Sequence, residues 1–360
     1  MPSGRLDGPA YVPASLVEGA FSRRKGNVMA QRIIMVHGRS TKPAKARFAA
    51  LQRRALLQGL ERVDRAKAKK VADGKVEIDF IYYGDVNNTI LAEKSEAHRR
   101  DLTEKDPHCN DGPCTSDTGY AEAIDALAAI KRFDKRAYKK VLRENDDLQF
   151  VDNIARAAST LAAIASATIM NEVTIKIATA DMGAYLMRRA VGSAVRERLQ
   201  TPLKRALKRG DDICLLSHSM GCMVAYDVLW KFSRMSEYSD VRENGNRVTR
   251  WLTLGCPLGE AGVKANLYDA NERDFPGGTD KHPRHIVKDW SNVAAVDDFI
   301  CHDATMKGDY RDMLKYGYVD SIKDQRIYNC YAKDGVANAH KFYGYLVHPV
   351  VAAEVATWIR

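Results

Sequence analysis

Short apolar runs alternate along this chain with longer segments of amphipathic character. Buried strands are predicted over 32–36, 76–83, 212–216, 250–254, 291–296 and 326–331. Helices are predicted over 44–70, parts of 90–104, 119–142, 147–170, 172–190, 194–208, 221–230 and 350–359. Strands that alternate with helices are typical of a parallel, doubly wound sheet. The pattern therefore predicts the α/β fold class.

The second and third predicted strands are separated by a stretch that is too long for one crossover connection. We expect this insertion, residues 87–205, to form a helical cap above the carboxyl ends of the strands, where ligands bind in such sheets. The α/β core would then comprise 29–86 and 206–360. Residues 1–28 contain several Pro and Gly and are predicted to be an irregular extension, with Met29 as an alternative start.

Composition favours a soluble protein. The chain has 360 residues, of which 45% are apolar, so it can bury a full core. Its longest uncharged stretch, 157–171, is shorter than the roughly 20 residues that a membrane-spanning helix needs. The amino terminus has no apolar signal segment, and the seven scattered cysteines favour reduced thiols. We therefore expect a cytoplasmic location.

Positive charge is concentrated at the start of the chain. The net charge is +10, and residues 1–75 hold 17 Lys or Arg against 5 Asp or Glu. Such a segment is either a solvated helix face or a contact for an anionic partner. Since no nucleic-acid-binding motif is present, we expect no nucleic acid partner. Peripheral membrane contact through this basic region stays open as an alternative.

A serine lies at a turn between a strand and a helix. Ser219 follows the apolar run 212–216 and precedes an amphipathic helix that starts at Gly221. A serine on such a turn has its hydroxyl raised above the sheet edge, beside a helix amino terminus. The usual pattern of this nucleophile elbow is Gly-x-Ser-x-Gly, and here Ser217 replaces the first glycine. Ser219 is the candidate nucleophile, and an ordinary Ser/Gly-rich turn is the alternative.

Acyl transfer by a serine also needs donors for the oxyanion of the tetrahedral intermediate. One would be the backbone N–H of Met220, directly after the nucleophile. The second is expected from the loop after the first strand, where Gly38 permits close approach. We predict the backbone N–H of Arg39 as this donor, with an ordinary strand-ending turn as the alternative.

The serine hydroxyl needs an imidazole base. The chain has nine histidines, and His340 is the favoured base because it follows the last strand, before the terminal helix. His218 is expected to point away from the elbow, and His348 to serve a structural role at a helix start. The other histidines that were weighed are His37, His108, His282, His285 and His302.

An acid must hold the imidazole in the right tautomer. Asp298 and Asp297 follow a predicted strand, and their place after the serine and before the histidine gives the order Ser…Asp…His. Asp298 is the first choice and Asp297 the alternative. Asp303 and Asp269 are more remote candidates.

The chain resembles α/β-hydrolase-fold serine esterases and lipase-like proteins. The resemblance spans roughly 30–85 and 206–360 and is carried by Val36-His37-Gly38, Ser217-His218-Ser219-Met220-Gly221, Thr253-Leu254-Gly255-Cys256-Pro257-Leu258, Trp290-Ser291-Asn292, Asp298, and His340 before Tyr343. In that family an aspartate commonly stands eight residues after the tryptophan, which favours Asp298. The chain departs from the family at Ser217 and at Phe299-Ile300, where Pro-Val is common.

The resemblance implies a serine nucleophile, no cofactor, no metal, and an ester or similar acyl substrate. We therefore expect a carboxylic ester hydrolase that acts through an acyl-enzyme on Ser219. The alternatives are a non-hydrolytic binding or effector module on the same fold, which would contact a membrane or an acidic partner, and a thioesterase or amidase. His108, Cys109 and Cys114 could form half of a zinc site, but no second pair with ligand spacing follows, so a plain cap loop is the favoured interpretation.

Overall fold

The computed structural model describes residues 29–94, 96–103, 109, 112–145, 180–268, 281–301 and 304–360. Its centre is a parallel six-stranded sheet with the strand order β2-β1-β3-β4-β5-β6. The strands are β1 (Gln31–Val36), β2 (Val76–Ile81), β3 (Asp212–His218), β4 (Val248–Leu254), β5 (Val287–Ala295) and β6 (Ser321–Ile327). A short antiparallel pair follows, β7 (Ala332–Lys333) with β8 (Val336–Ala337).

Helices cover both faces of the sheet, as the α/β class requires. In chain order they are α1 (Lys45–Val63), α2 (Arg65–Ala72), α3 (Gly84–Lys94), α4 (Glu96–Thr103), α5 (Tyr120–Ala128), α6 (Lys135–Glu144), α7 (Ala180–Met187), α8 (Arg189–Arg209), α9 (Met220–Arg234), α10 (Ser239–Arg242), α11 (Ala261–Lys264), α12 (Met306–Asp309), α13 (Arg311–Lys315), α14 (Phe342–Val347) and α15 (Pro349–Trp358). Single 3₁₀ turns occur at Ser236–Tyr238, Pro257–Gly259 and Phe299–Cys301.

Alternation along β1 divides the core into two layers. Ile33 and Met35 face a cluster that includes residues of α1, α5, α14 and α15. Ile34 and Val36 face the opposite cluster, which includes residues of α8 and α9. Because successive side chains of a strand point to opposite faces, a central strand with apolar residues at every position is buried on both sides. The predicted α/β class with a parallel sheet is confirmed.

Most predicted strands lie within a few residues of their observed positions, but the last one was wrong. The prediction was 326–331, and the structure has β6 at Ser321–Ile327. In β6 only Ile322 and Ile327 are buried, and polar side chains lie between them. β6 is the edge strand of the sheet, so it carries no continuous apolar run that a search for buried strands would find.

The insertion is described only in part. Residues 146–179, which include the predicted helix 147–170, lie outside the described residues. Among the described residues of the insertion, helix α5 contacts α1 and α14. Helix α8 buries Val195, Leu199 and Leu203 in the same layer as α9. The boundaries of the predicted cap therefore stay a prediction.

Two further observations concern the chain as a whole. No described helix is both long enough and apolar enough to cross a membrane. Of the seven cysteines, five are buried free thiols, whereas Cys109 and Cys114 form a disulfide. The expectation of reduced thiols was therefore wrong for this pair, whose separation of five residues allows its Cα atoms to lie 5.6 Å apart.

Candidate active site

Ser219 lies at a sharp turn between a buried strand and a helix. β3 ends at His218, and α9 begins at Met220. Ser219 has φ 54° and ψ −128°, a backbone conformation that is costly for a residue with a side chain. Its N–H donates to the Leu254 carbonyl at the end of the neighbouring strand, at 3.0 Å. The local geometry is that of the nucleophile elbow predicted for Ser219.

Two glycines allow the chain to pass close to this turn. A Cβ on Gly221 would lie 2.5 Å from the His37 carbonyl oxygen and 2.8 Å from that of Val36. A Cβ on Gly38 would lie 2.6 Å from the Cβ of Ser219. Both positions therefore require glycine, and together they bring the loop after β1 against the elbow.

Replacing Gly221 by alanine is expected to lower the free energy of unfolding by about 1–3 kcal/mol, because the new methyl group meets rigid backbone. Gly308→Ala is the matched control, since a Cβ there would be 4.0 Å from its nearest neighbours. Chemical denaturation of both variants checks the prediction. Equal stability of the two variants would contradict the close approach at the elbow.

The structure brings Asp298 and His340 together. Nδ1 of His340 lies 2.9 Å from each carboxylate oxygen of Asp298. Since a carboxylate only accepts, Nδ1 donates to Asp298, and in the neutral imidazole the lone pair is on Nε2. The neighbouring candidate, Asp297, is exposed and has φ 63°. Of the two aspartates, Asp298 is therefore the one that orients the imidazole.

Tyr345, on α14, also holds Asp298. Its hydroxyl donates to Oδ2 of Asp298 at 2.6 Å and accepts the N–H of Ala295 at 2.9 Å. Burial by itself would raise the pKa of Asp298, but the charge of His340 and hydrogen bonds from His340, Tyr345 and Cys301 lower it below its usual value. The carboxylate is therefore ionised in the folded protein. Nothing in the sequence links position 345 to position 298, so this contact was missed.

Tyr345→Phe is expected to lower the free energy of unfolding at neutral pH by about 1.5–3 kcal/mol, the range for a hydrogen bond to a charged group. Because the pKa of Asp298 is lowered on folding, its stabilisation is present above the unfolded pKa and is lost as the pH falls through the folded pKa. The cost of the substitution should therefore shrink in acid. Denaturation at several pH values tests this.

Tyr331→Phe is the control for that experiment. Tyr331 is a buried tyrosine whose hydroxyl has no partner among the described residues, so its loss should change stability little. A cost for Tyr345→Phe no larger than that for Tyr331→Phe would refute the contact with Asp298.

His218 does not point away from the site, contrary to the prediction. Its ring lies 4.7 Å from that of His340 and stacks on Phe342 at 4.8 Å. Nε2 donates to the His340 carbonyl at 2.7 Å, so the His218 side chain holds the backbone that carries the candidate base. Burial and the neighbouring His340 lower the pKa of His218, which keeps it neutral. His218 follows the alternation of β3, because Phe342 and Tyr345, which its ring contacts, belong to the same layer as Cys214 and Leu216. The prediction failed because α14 and the loop that carries His340 cover that face of the sheet.

The end of β4 places the serine beside the Asp–His pair. Leu254 accepts the N–H of Ser219, and the next residue, Gly255, has φ 54°. A Cβ on Gly255 would lie 2.9 Å from Oδ2 of Asp298 and 3.0 Å from Nδ1 of His340. Neither Oγ of Ser219 nor Nε2 of His340 has a hydrogen-bond partner among the described residues, and both atoms are buried. Ser219 and His340 are therefore not hydrogen-bonded to each other in this structure.

The two predicted oxyanion donors are the backbone N–H groups of Met220 and Arg39, and their role stays a prediction. The N–H of Met220 opens α9, where the first N–H groups of a helix have no intrahelical acceptor. In the loop after β1, Nε2 of His37 accepts the Tyr83 N–H at 3.1 Å, so its Nδ1 donates to the Gly38 carbonyl at 2.7 Å. The Gly38 carbonyl and the Arg39 N–H belong to the same trans peptide group and point in opposite directions. Because His37 binds that carbonyl, the N–H of Arg39 points away from His37.

The remaining candidates have other places. His348 caps α15 by accepting the Val350 N–H, which confirms its structural role. His282 contacts the Tyr226 hydroxyl at 2.9 Å, and His285 packs against Tyr318. His108, His302, Asp269 and Asp303 lie outside the described residues.

Much of the charge in the basic first part of the chain is used within the protein. Arg32 pairs with Asp211 at 2.9 Å and Asp79 at 3.0 Å, and Arg54 pairs with Asp125. Lys67 and Lys70 donate to carbonyls at the carboxyl-terminal end of the chain. The residues of this region before 29 lie outside the described part.

The candidate site is covered. Ser219 is only 1% exposed, whereas the His340 side chain is 24% exposed. A groove of about 900 Å³ lies between α5 and α6, but none of the three candidate triad residues lines it. Within the described ranges, no cluster of three His, Cys, Asp or Glu residues suited to a metal ion occurs.

Comparisons of the chain with protein-family models, curated proteins and solved structures found no match.

Proposed function

We propose that this protein is a serine hydrolase of the α/β-hydrolase fold that cleaves a carboxylic ester. The observation that carries the proposal is the arrangement around Ser219. A strained serine lies between a strand and a helix, and its N–H is bound by Leu254. The next residue, Gly255, lies against an imidazole whose Nδ1 is held by a buried, ionised carboxylate. Sequence order, strand order and the two free backbone donors are consistent with such an enzyme.

In this mechanism Nε2 of His340 takes the proton of the Ser219 hydroxyl as the oxygen attacks the ester carbonyl. Asp298 stabilises the imidazolium that forms. The N–H groups of Met220 and Arg39 stabilise the oxyanion, and the imidazolium then protonates the leaving alcohol. Water, activated by His340, releases the acid from the acyl-enzyme and regenerates Ser219. The same residues would serve a thioester or an amide, which differ in the leaving group.

Access to the nucleophile decides between this function and a second candidate. Because Oγ of Ser219 is buried, a substrate must displace covering side chains, and the exposed edge of His340 marks where it would enter. The burial of the Ser219 hydroxyl also favours a second function, that of a binding module on this fold that cleaves no substrate. Its partner would be a membrane or an acidic protein. Salt-sensitive flotation with anionic liposomes in the absence of turnover would favour that second function.

A substrate panel tests the proposed hydrolase. Purified protein is incubated with short and long acyl esters, phospholipids, thioesters and anilides, and the released acid is measured by chromatography. The account predicts turnover of at least one ester class. No turnover of any substrate by protein that is folded by circular dichroism would contradict it.

A further inference from the structure

Lys42 lies buried directly behind the loop that carries Arg39. Its ammonium donates to three successive carbonyls of that loop, those of Arg39, of Ser40 at 2.9 Å and of Thr41 at 3.4 Å. Its own backbone is fixed from the other side, because Asn88 accepts the Lys42 N–H at 2.8 Å and donates to the Lys42 carbonyl at 3.0 Å. The Lys42 side chain thus binds all three carbonyls of this turn, and the Lys42 backbone is hydrogen-bonded to Asn88 of α3.

The direction of these carbonyls fixes the direction of the amides. The Gly38 carbonyl is held by His37 and the Arg39 carbonyl by Lys42, so both peptide planes that flank Arg39 are constrained. The N–H of Ser40 points away from Lys42, as a trans peptide requires, and donates to Oδ2 of Asp181 at 2.6 Å. Asp181 also lies 3.6 Å from Nε of Arg39. The three carbonyls that Lys42 binds share their peptide groups with the N–H groups of Ser40, Thr41 and Lys42, so the cation polarises those peptides. The peptide that contains the Arg39 N–H is held by His37.

We propose that Lys42 is a positioning residue that fixes the peptide after Arg39 and thereby keeps the Arg39 N–H, on the preceding peptide, in the direction required of an oxyanion donor. The inference rests on the proposed function, since it assigns Lys42 a part in the same site. Lys42 itself is committed to the three carbonyls and does not contact the substrate.

The charge of Lys42 depends on pH in the range where the enzyme would work. Burial and the positive charges of Lys341 and Arg39 together lower its pKa to about 7, although Asp181 acts in the opposite direction. The other titratable groups that interact with it are His37 and His218, whose pKa values are both lowered by burial. As the pH rises, the ammonium becomes an amine with one donor fewer, and one of the three carbonyls loses its partner.

The test compares wild type with Lys42→Met, and with Lys45→Met as the exposed control three residues away. Loss of an oxyanion donor lowers kcat by about 10²–10³-fold, so we expect kcat of Lys42→Met to fall by about 10²-fold with KM changed less than about threefold. The alkaline decline of kcat in wild type should be absent from Lys42→Met. Lys42→Arg, which keeps a cation at every pH, should recover part of kcat and lack that decline.

A kcat of Lys42→Met within about twofold of wild type, or an unchanged alkaline decline in that variant, would overturn the proposal. A second measurement needs no activity. Because the pKa is lowered from 10.5 on folding, the folded protein binds fewer protons than the unfolded chain between about pH 7 and 10.5. The Tm of wild type relative to Lys42→Met should therefore rise across this window, and a constant difference would also overturn the proposal.

The two measurements separate failure of this inference from failure of the hydrolase assignment. If wild type turns over esters but Lys42→Met behaves like Lys45→Met, only the role of Lys42 is wrong. If the Tm difference rises with pH but no ester is cleaved, Lys42 is buried as described. The proposed function is then wrong, and with it the role of Lys42 in that function.

Discussion

Ser219→Ala is expected to lower kcat for ester hydrolysis by on the order of 10⁶-fold, the scale of losing the nucleophile of a serine triad. The substitution removes a hydroxyl that has no hydrogen-bond partner among the described residues, so the fold should keep its stability. Steady-state kinetics on the best ester of the panel, together with thermal melting, measures both effects.

Ser233→Ala is the matched control for this variant. Ser233 is also buried, stands at the other end of the same helix and bonds the Trp230 carbonyl at 2.9 Å. Its loss should leave kcat unchanged. If Ser219→Ala keeps more than about a tenth of wild-type kcat, the chemistry does not use this serine.

Asp298→Asn is expected to lower kcat by on the order of 10⁴-fold. The Tyr345 hydroxyl donates to residue 298, so the amide oxygen of the asparagine would face Tyr345 as the acceptor. The amide nitrogen would then face Nδ1 of His340. A donor at that position forces the proton of the imidazole from Nδ1 to Nε2, and the base loses its lone pair. Kinetics at neutral pH measures the loss.

Asp297→Asn tests whether the adjacent residue matters. Asp297 is exposed, and the structure does not direct it to the imidazole, so this variant should behave like wild type. The reverse outcome, with Asp297→Asn inactive and Asp298→Asn active, would show that Asp297 and not Asp298 is the acid.

The parts of the fold that follow from local pattern were predictable from the sequence. β3 contains an unbroken apolar run after two aspartates, and the small residue Gly221 marks the elbow. β6 was misplaced because an exposed edge strand needs few apolar residues. Ser219 and Asp298 were predictable because each lies just beyond the carboxyl end of a parallel strand, where such strands place their loops together. His340 follows the short antiparallel pair β7–β8, so its place was predicted from chain order and not from a strand end.

Hydrogen bonds that hold the candidate site residues, made by residues distant in the sequence, could not be predicted. Tyr345 binds Asp298 across 47 residues, and Lys42 reaches carbonyls that any residue carries. His218 was assigned the wrong direction because the sequence does not show that α14 and the His340 loop cover the face it points to. These contacts depend on how α14, the loop after β1 and the elbow pack in three dimensions, and no local pattern records that packing.

The most direct test of the central claim is covalent labelling with a fluorophosphonate, which reacts with activated serines. Labelled protein is digested and the modified residue is identified by mass spectrometry. The account predicts one adduct, on Ser219, formed in wild type and much more slowly in His340→Ala and Asp298→Asn. Labelling of Ser219→Ala at the wild-type rate, or no labelling of wild type at all, would contradict it.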